Sequence, residues 1–266
     1  ESSAASDVYK RQNNDFDSRI KCFYDVVNHK NYVYDDCGHG THVAGICSGS
    51  GANSNGKYRG IAPESNIVMI KALDFEGKGT ASDVLTGIQW VADNYKKYNI
   101  RILNMSIGAG ITNTKDPLVR AAEILWDMGI VVVAAAGNNG PQKGTISSPG
   151  ISKKIITVGS VDDINVPEND IGKSYSGRGP TKECVIKPDV VAPGTNIISC
   201  LCEDNKNNNY YKSLSGTSMS TPIVSGAIAL LLEKAPNLKP DDIKFMLKQS
   251  LSLIHISEPT RHAQIS

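Results

Sequence analysis

The 266-residue sequence lacks any excess of one charge: 28 Lys and Arg face 27 Asp and Glu, a net charge of +1. That balance gives no reason to expect nucleic acid or an anionic membrane surface as a partner. It also lacks a long apolar run; the longest are about half the length that a membrane span needs. Cysteine is scarce, and Cys22, Cys37, Cys47, Cys184, Cys200 and Cys202 form no paired C-x-x-C or other metal-ligand spacing. Six are too few for a disulfide-stapled scaffold, so free thiols in a reducing compartment are the plain expectation. No H-E-x-x-H motif, internal repeat or low-complexity linker is present. The length suits one α/β domain with a substantial core.

The two ends carry an unusual relationship. Asp7 to Gln12 read D-V-Y-K-R-Q, and Leu251 to Ile256 read L-S-L-I-H-I. Written as GAT GTG TAT AAG AGA CAG, the first has the reverse complement CTG TCT CTT ATA CAC ATC, which translates as the second. The DNA resembles the inverted transposon end used to build sequencing libraries, and Ser257 to Arg261 fits a continuing adaptor. Residues 1–12 and 251–266 are therefore set apart as tag-derived, and 13–250 is read as a catalytic domain shortened at both ends. A natural pair of tails is the alternative. No cleavable signal segment is visible, which means little if the first residues are foreign.

Between these ends, strand and helix signals alternate. Residues 66–73 form a β-rich run. Ser82–Tyr98 places Val84, Leu85, Ile88, Val91, Ala92 and Tyr95 on one helical face, with Ser82 as N-cap. Ile102–Ser106 is a strand. Asp116-Pro117 starts a helix that runs to about Met128, with Gly129 as its stop. Ile130–Ala136 is apolar throughout, as a strand buried on both faces should be, and Ile155–Val161 is similar. Helices over Ser218–Lys234 and Lys239–Lys248 complete the pattern. The alternation predicts a three-layer α/β fold, with a mostly parallel central sheet and helices on both faces. Ligands bind such sheets at the carboxyl ends of the strands.

Three motifs lie at those ends. His39-Gly40-Thr41-His42-Val43-Ala44-Gly45 puts a histidine at a helix start, where its backbone is fixed, as a general base requires. Two histidines three apart also suit a metal. Ser215-Gly216-Thr217-Ser218-Met219-Ser220-Thr221-Pro222 puts a serine on a constrained turn where backbone N–H groups favour negative charge, with Pro222 expected in the first helical turn. Ordinary helix capping by Ser and Thr is the alternative. In Ala134-Ala135-Ala136-Gly137-Asn138-Asn139-Gly140, an amide follows a buried strand and can donate to an oxyanion, or form an Asx turn.

Taken together, in this order and spacing, the three motifs resemble those of the subtilisin-like serine proteases (subtilases, peptidase S8), closest to the bacterial AprX-like branch. The resemblance takes in Tyr34-Asp35-Asp36, residues 60–64, 104–108, Ser148-Pro149-Gly150, Arg178-Gly179-Pro180 and 187–194. It implies an endopeptidase that hydrolyses peptide bonds through an acyl-enzyme on Ser218. His39 would be general base and Asn138 the oxyanion donor. Ser106, Ile107 and Gly108 would pair with extended protein or peptide substrates. Ala135 and Gly137 would wall a pocket for a sizeable apolar P1 residue, beside a cis peptide at Pro149. No cofactor is implied for the chemistry. Calcium often stabilises the family, but no ligand set stands out here, and a monomer is expected. Location is bacterial, cytoplasmic or secreted, and the free thiols favour the cytoplasm.

The family's N-terminal Asp-Thr-Gly is absent. Asp7 stands at the register of the triad aspartate, yet Val8-Tyr9 replace Thr-Gly within tag-derived sequence. The central strand that would carry this aspartate is expected from natural sequence before Asn13. Cys37 stands just before Gly38-His39, where many relatives carry a polar residue. The rival classes are a non-catalytic peptide binder, separable by serine-directed fluorophosphonate titration, and a metal-dependent hydrolase, separable by chelator sensitivity.

Overall fold

The computed structural model describes residues 14–110, 113, 115–161, 174–204 and 209–256. Asp7, the rest of 1–13 and 257–266 lie outside the described residues. Eight strands and five α-helices are seen among those that are described.

The strands that carry the site run parallel. β1 (Ile20–Asp25) pairs with β2 (Ile67–Lys71). β3 (Ile102–Met105), β4 (Val131–Ala135), β5 (Ile156–Ser160) and β6 (Val190–Ala192) form a second parallel set in sequential order. β7 (Ile197–Asp204) and β8 (Asn209–Leu214) form an antiparallel hairpin, which the sequence pattern did not announce. Every residue of β4 and β5 is buried, so both faces of the sheet are covered. That is the layered arrangement expected of this sequence.

Among the described residues β2 and β3 do not pair with each other. A cavity of about 1340 Å³ separates them, lined by Met69 and Ile70 on one side and by Leu103 and Met105 on the other. The central strand expected before Asn13 falls outside the described residues.

Helix ends follow local chemistry. α1 (His39–Ser48) starts at His39 itself. α2 (Ala81–Tyr98) is capped by Thr80, not by Ser82: Thr80 accepts from the Asp83 N–H, and the Asp83 carboxylate accepts from the Thr80 N–H in return. This reciprocal pair satisfies two donors, which Ser82 one residue inside the helix cannot do. α3 (Pro117–Asp127) begins as expected, with the Asp116 carboxylate accepting from the Leu118 N–H at 2.9 Å. α4 (Thr217–Lys234) packs along β3 to β6 and against α1. A Cβ on Gly45 of α1 would stand 2.7 Å from Cys200 Sγ, so this helix lies too tightly on β7 for a side chain at that position.

α5 (Pro240–Ile256) runs past the expected end at Lys248, because neither glycine nor proline interrupts the chain before Pro259. Trp126 Nε1 donates to Asp241 at 2.9 Å, and Lys244 Nζ donates to the carbonyls of Lys153, Lys154 and Ile155. Beneath the helix lies a charge cluster. Lys187 is 4% exposed and donates to Ile155 O, Thr157 Oγ1 and Asp189 Oδ2. Lys244 also reaches Asp189, at 3.1 Å. Burial pushes the Lys187 ammonium down to about 8, with the Asp189 charge opposing.

Candidate active site

His39 is positioned by Asp35. One carboxylate oxygen of Asp35 accepts from the N–H groups of Cys37 (3.1 Å) and Gly38 (2.8 Å). The other accepts from the Thr41 N–H and the Thr41 hydroxyl, both at 2.7 Å. The Gly38 and Thr41 N–H groups are donors that a helix start leaves without intrahelical partners. Burial raises the Asp35 carboxyl, but the bonds from Thr41, Gly38 and Cys37 outweigh it and hold it below the ordinary carboxylate range. Burial lowers the His39 ring below its ordinary value, and the Asp35 charge partly opposes this. Among the described residues no hydrogen bond reaches that ring.

The second histidine of the motif does other work. His42 is fully buried, and its Nε2 bridges the carbonyls of Ile197 (3.1 Å) and Lys212 (2.9 Å), one on each strand of the β7–β8 hairpin. The two rings therefore do not converge as a metal pair. Among the described residues, no three His, Cys, Asp or Glu side chains are grouped to hold a metal ion.

The serine sits at the start of α4. Its N-cap, Gly216, has φ +152°, a backbone conformation that strains any other residue, and a Cβ there would also crowd the Asn138 amide at 3.2 Å. Thr217 is the first helical residue and Ser218 the second. Pro222 is the sixth, not within the first turn as the sequence suggested. An N–H at position 222 would bond the carbonyl four residues back, which is that of Ser218, and proline has none to give. That carbonyl has another donor: the Ser106 hydroxyl, at 2.8 Å. The helix therefore absorbs the proline because a neighbouring strand end replaces the missing N–H. In return the Ser218 hydroxyl donates to the Ser106 carbonyl at 3.1 Å.

Asn138 follows β4 and reaches the same helix start. Its Oδ1 accepts from the Thr217 N–H and the Thr217 hydroxyl, both at 3.0 Å. The Thr217 hydroxyl oxygen in turn accepts from the Gly137 N–H at 3.2 Å. With Oδ1 committed, the amide's Nδ2 is left to face the site. Thr217 was not singled out from the sequence as an orienting residue, although it stands in the quoted motif.

The remaining expected residues fall close by. Ser106 directly follows β3, Ile107 and Gly108 come next outside any named strand, and Ala109 bridges to Ser148. Ala135 and Gly137 are buried at the end of β4, and the Ser148–Pro149 peptide is cis. His39 and Ser106 line the same cavity. Ser218, Asn138 and Ser106 are thus joined at the start of α4, and His39 lines the cavity that Ser106 also lines, whereas Asp7 lies outside the described residues.

Comparison with known proteins points the same way. A family model described as the subtilase family, Peptidase S8, matches residues 3–262. The serine protease AprX of Bacillus subtilis is 46% identical over 253 residues, which cover 88% of this chain and 57% of that protein. Subtilisin DY of Bacillus licheniformis is 36% identical over 226 residues, covering 84% of this chain and 74% of that one. The solved structure of a cold adapted subtilisin-like serine proteinase superposes with a TM-score of 0.71 at 33% identity, covering 90% of this chain and 78% of that one. The chain spans little more than half the length of the AprX protein. The cytoplasmic expectation drawn from the thiols gains no support from these relatives. No helix among the described residues is long and apolar enough to cross a membrane.

Proposed function

This chain belongs to the subtilase family, and from that premise we propose that it is a serine endopeptidase with Ser218 as nucleophile, His39 as general base and Asn138 as oxyanion donor. One observation carries the reading. Thr217 holds Asn138 by its oxygen, so the amide nitrogen faces the helix start where the Ser218 N–H has no intrahelical partner. Two donors then converge where a carbonyl oxygen would gain charge.

The chemistry follows from these positions. The Ser218 hydroxyl rests on the Ser106 carbonyl and must turn from it toward His39. His39, its proton affinity lowered by burial, is neutral at neutral pH and takes the hydroxyl proton as Oγ bonds the substrate carbonyl carbon. The oxyanion is met by the Ser218 N–H and Asn138 Nδ2. His39 then returns the proton to the departing amine, leaving an acyl-enzyme on Ser218, which water cleaves by the same steps in reverse. Substrates would lie extended along Ser106, Ile107 and Gly108, with a sizeable apolar P1 side chain against Ala135 and Gly137. No cofactor takes part, and a monomer suffices.

Labelling with a serine-directed fluorophosphonate and hydrolysis of a peptide anilide test this reading. Ser218→Ala should abolish both while changing stability by about 1 kcal/mol at most, the scale of a lost hydroxyl at a helix start. Retention of more than a few per cent of hydrolysis would refute the nucleophile assignment.

A further inference from the structure

The geometry points to Ser225 and Asn104 as positioning residues for Ser218, acting through the side chain of Ser106; the inference rests on the nucleophile assignment above. Ser225 lies two helical turns beyond Ser218, so both face the same side of α4. That side meets the end of β3, where Asn104 and, just past the strand, Ser106 stand two residues apart and are hydrogen-bonded to each other.

Four groups form a directed chain. The Ser225 hydroxyl donates to Asn104 Oδ1 at 2.9 Å. Asn104 Nδ2 donates to Ser106 Oγ at 2.9 Å. Ser106 Oγ, having accepted, donates its own proton to the Ser218 carbonyl at 2.8 Å. That carbonyl is the one Pro222 leaves without its helical N–H.

At the far end the Ser225 hydroxyl, a group able to donate or accept, is placed as the donor to Asn104 Oδ1. An amide can present either its oxygen or its nitrogen to Ser106. With Ser225 donating to Oδ1, only Nδ2 is available, and the Ser106 proton is free for Ser218. Were the amide turned over, its oxygen would take the Ser106 proton and strip the Ser218 carbonyl of its donor. The first turn of α4 would then have a loose carbonyl at the residue that supplies both Oγ and the oxyanion N–H. Ser225 is 1% exposed and its hydroxyl bonds Asn104, so its effect on Ser218 travels through Asn104 and Ser106.

The test measures fluorophosphonate labelling rate, kcat and KM, and melting temperature for the full chain and three variants. Ser106→Ala removes the donor. Asn104→Asp makes the group acceptor-only and captures the Ser106 proton. Ser225→Ala frees the amide to turn. Losing alignment at the nucleophile should lower the labelling rate and kcat by about tenfold in the first two and about threefold in Ser225→Ala, with KM within about twofold, because an extended substrate would pair with the main chain of Ser106, Ile107 and Gly108, which these variants keep. Ser106→Thr, which keeps the hydroxyl, should recover most of the loss. If all three variants label and turn over within about twofold of the parent, or if KM alone moves, the relay is overturned while the hydrolase reading stands. If the folded parent does not label at Ser218 even with natural sequence in place of 1–12 and 251–266, the hydrolase reading falls and the relay with it. Should Asn104→Asp fail to fold, Ser106→Ala and Ser225→Ala decide the matter.

Discussion

Replacing Asp35 by Asn should loosen the helix that presents His39. The carboxylate accepts four hydrogen bonds, two on each oxygen. Asn keeps one oxygen, which can stay with Cys37 and Gly38, but puts an NH₂ where the Thr41 N–H and hydroxyl now donate. The Thr41 hydroxyl has a substitute partner, Cys202 Sγ at 3.0 Å. The Thr41 N–H has none and would be left facing another donor. Losing one charge-assisted bond to a half-buried N–H, plus the charge on the cap, is worth about 2–3 kcal/mol. The sign with pH follows from the depressed carboxyl. Its contribution is fully present above the unfolded value of 3.8 and is lost as pH falls through the lower folded value. Urea unfolding at pH 7 and at pH 3 would therefore show a wide gap between parent and Asp35→Asn at the first and a narrower one at the second. A gap below about 0.5 kcal/mol at pH 7 would refute the idea that this carboxylate anchors α1.

The His39 ring is lowered by burial, so the neutral base persists as pH falls until the folded value is passed; the acid limb of kcat/KM should have its midpoint below 6.5, and a midpoint above 7 would mean that a carboxylate faces the ring. Cys37 is exposed two residues before His39, whereas burial pushes the Cys202 thiol up to about 12 and raises Cys200 and Cys47. Maleimide should thus inactivate the parent but spare Cys37→Ser, and equal loss in both would place the sensitive thiol elsewhere. Asp189→Asn strands Lys187 in the core and should cost about 3–5 kcal/mol. Lys187→Met should cost less, because Asp189 keeps Lys244 at 3.1 Å; equal losses in thermal melts would contradict the pairing. Finally, restoring natural sequence in place of 1–12 and 251–266 should raise turnover and melting temperature, and unchanged values would mean that the tails are natural.

What the sequence made legible was local. The motifs at His39, Asn138 and Ser218 are bounded by glycines and small residues whose spacing is itself the signal. Buried strands such as β4 announce themselves by unbroken apolarity. The contacts that aim the site were not legible, because they join residues remote in sequence. Ser106 meets Ser218 across 112 positions, and Ser225 meets Asn104 across 121. Asp35 was visible only as part of a Tyr-Asp-Asp stretch; that it caps α1 depends on a turn no periodicity reveals. Pro222 read as a first-turn proline because the hydroxyl that compensates it lies on another element. Nothing in the stretch 187–194 marks Lys187 as buried, and only the fold shows that it is enclosed.

The cavity between β2 and β3 has a consequence for how the molecule opens. Backbone hydrogen bonds bind strands into units that protect their amides together. Here no such bonds, among the described residues, pass between β1–β2 and the four-stranded set, and side-chain packing through α1 and α2 is the bridge. In native-state hydrogen exchange the amides of β1 and β2 should therefore form their own cooperative group, exchanging at a lower opening free energy than those of β4 and β5. The seam between the two groups runs past His39, so the catalytic base would sit on a boundary between a part that opens often and a part that opens only when the whole core does.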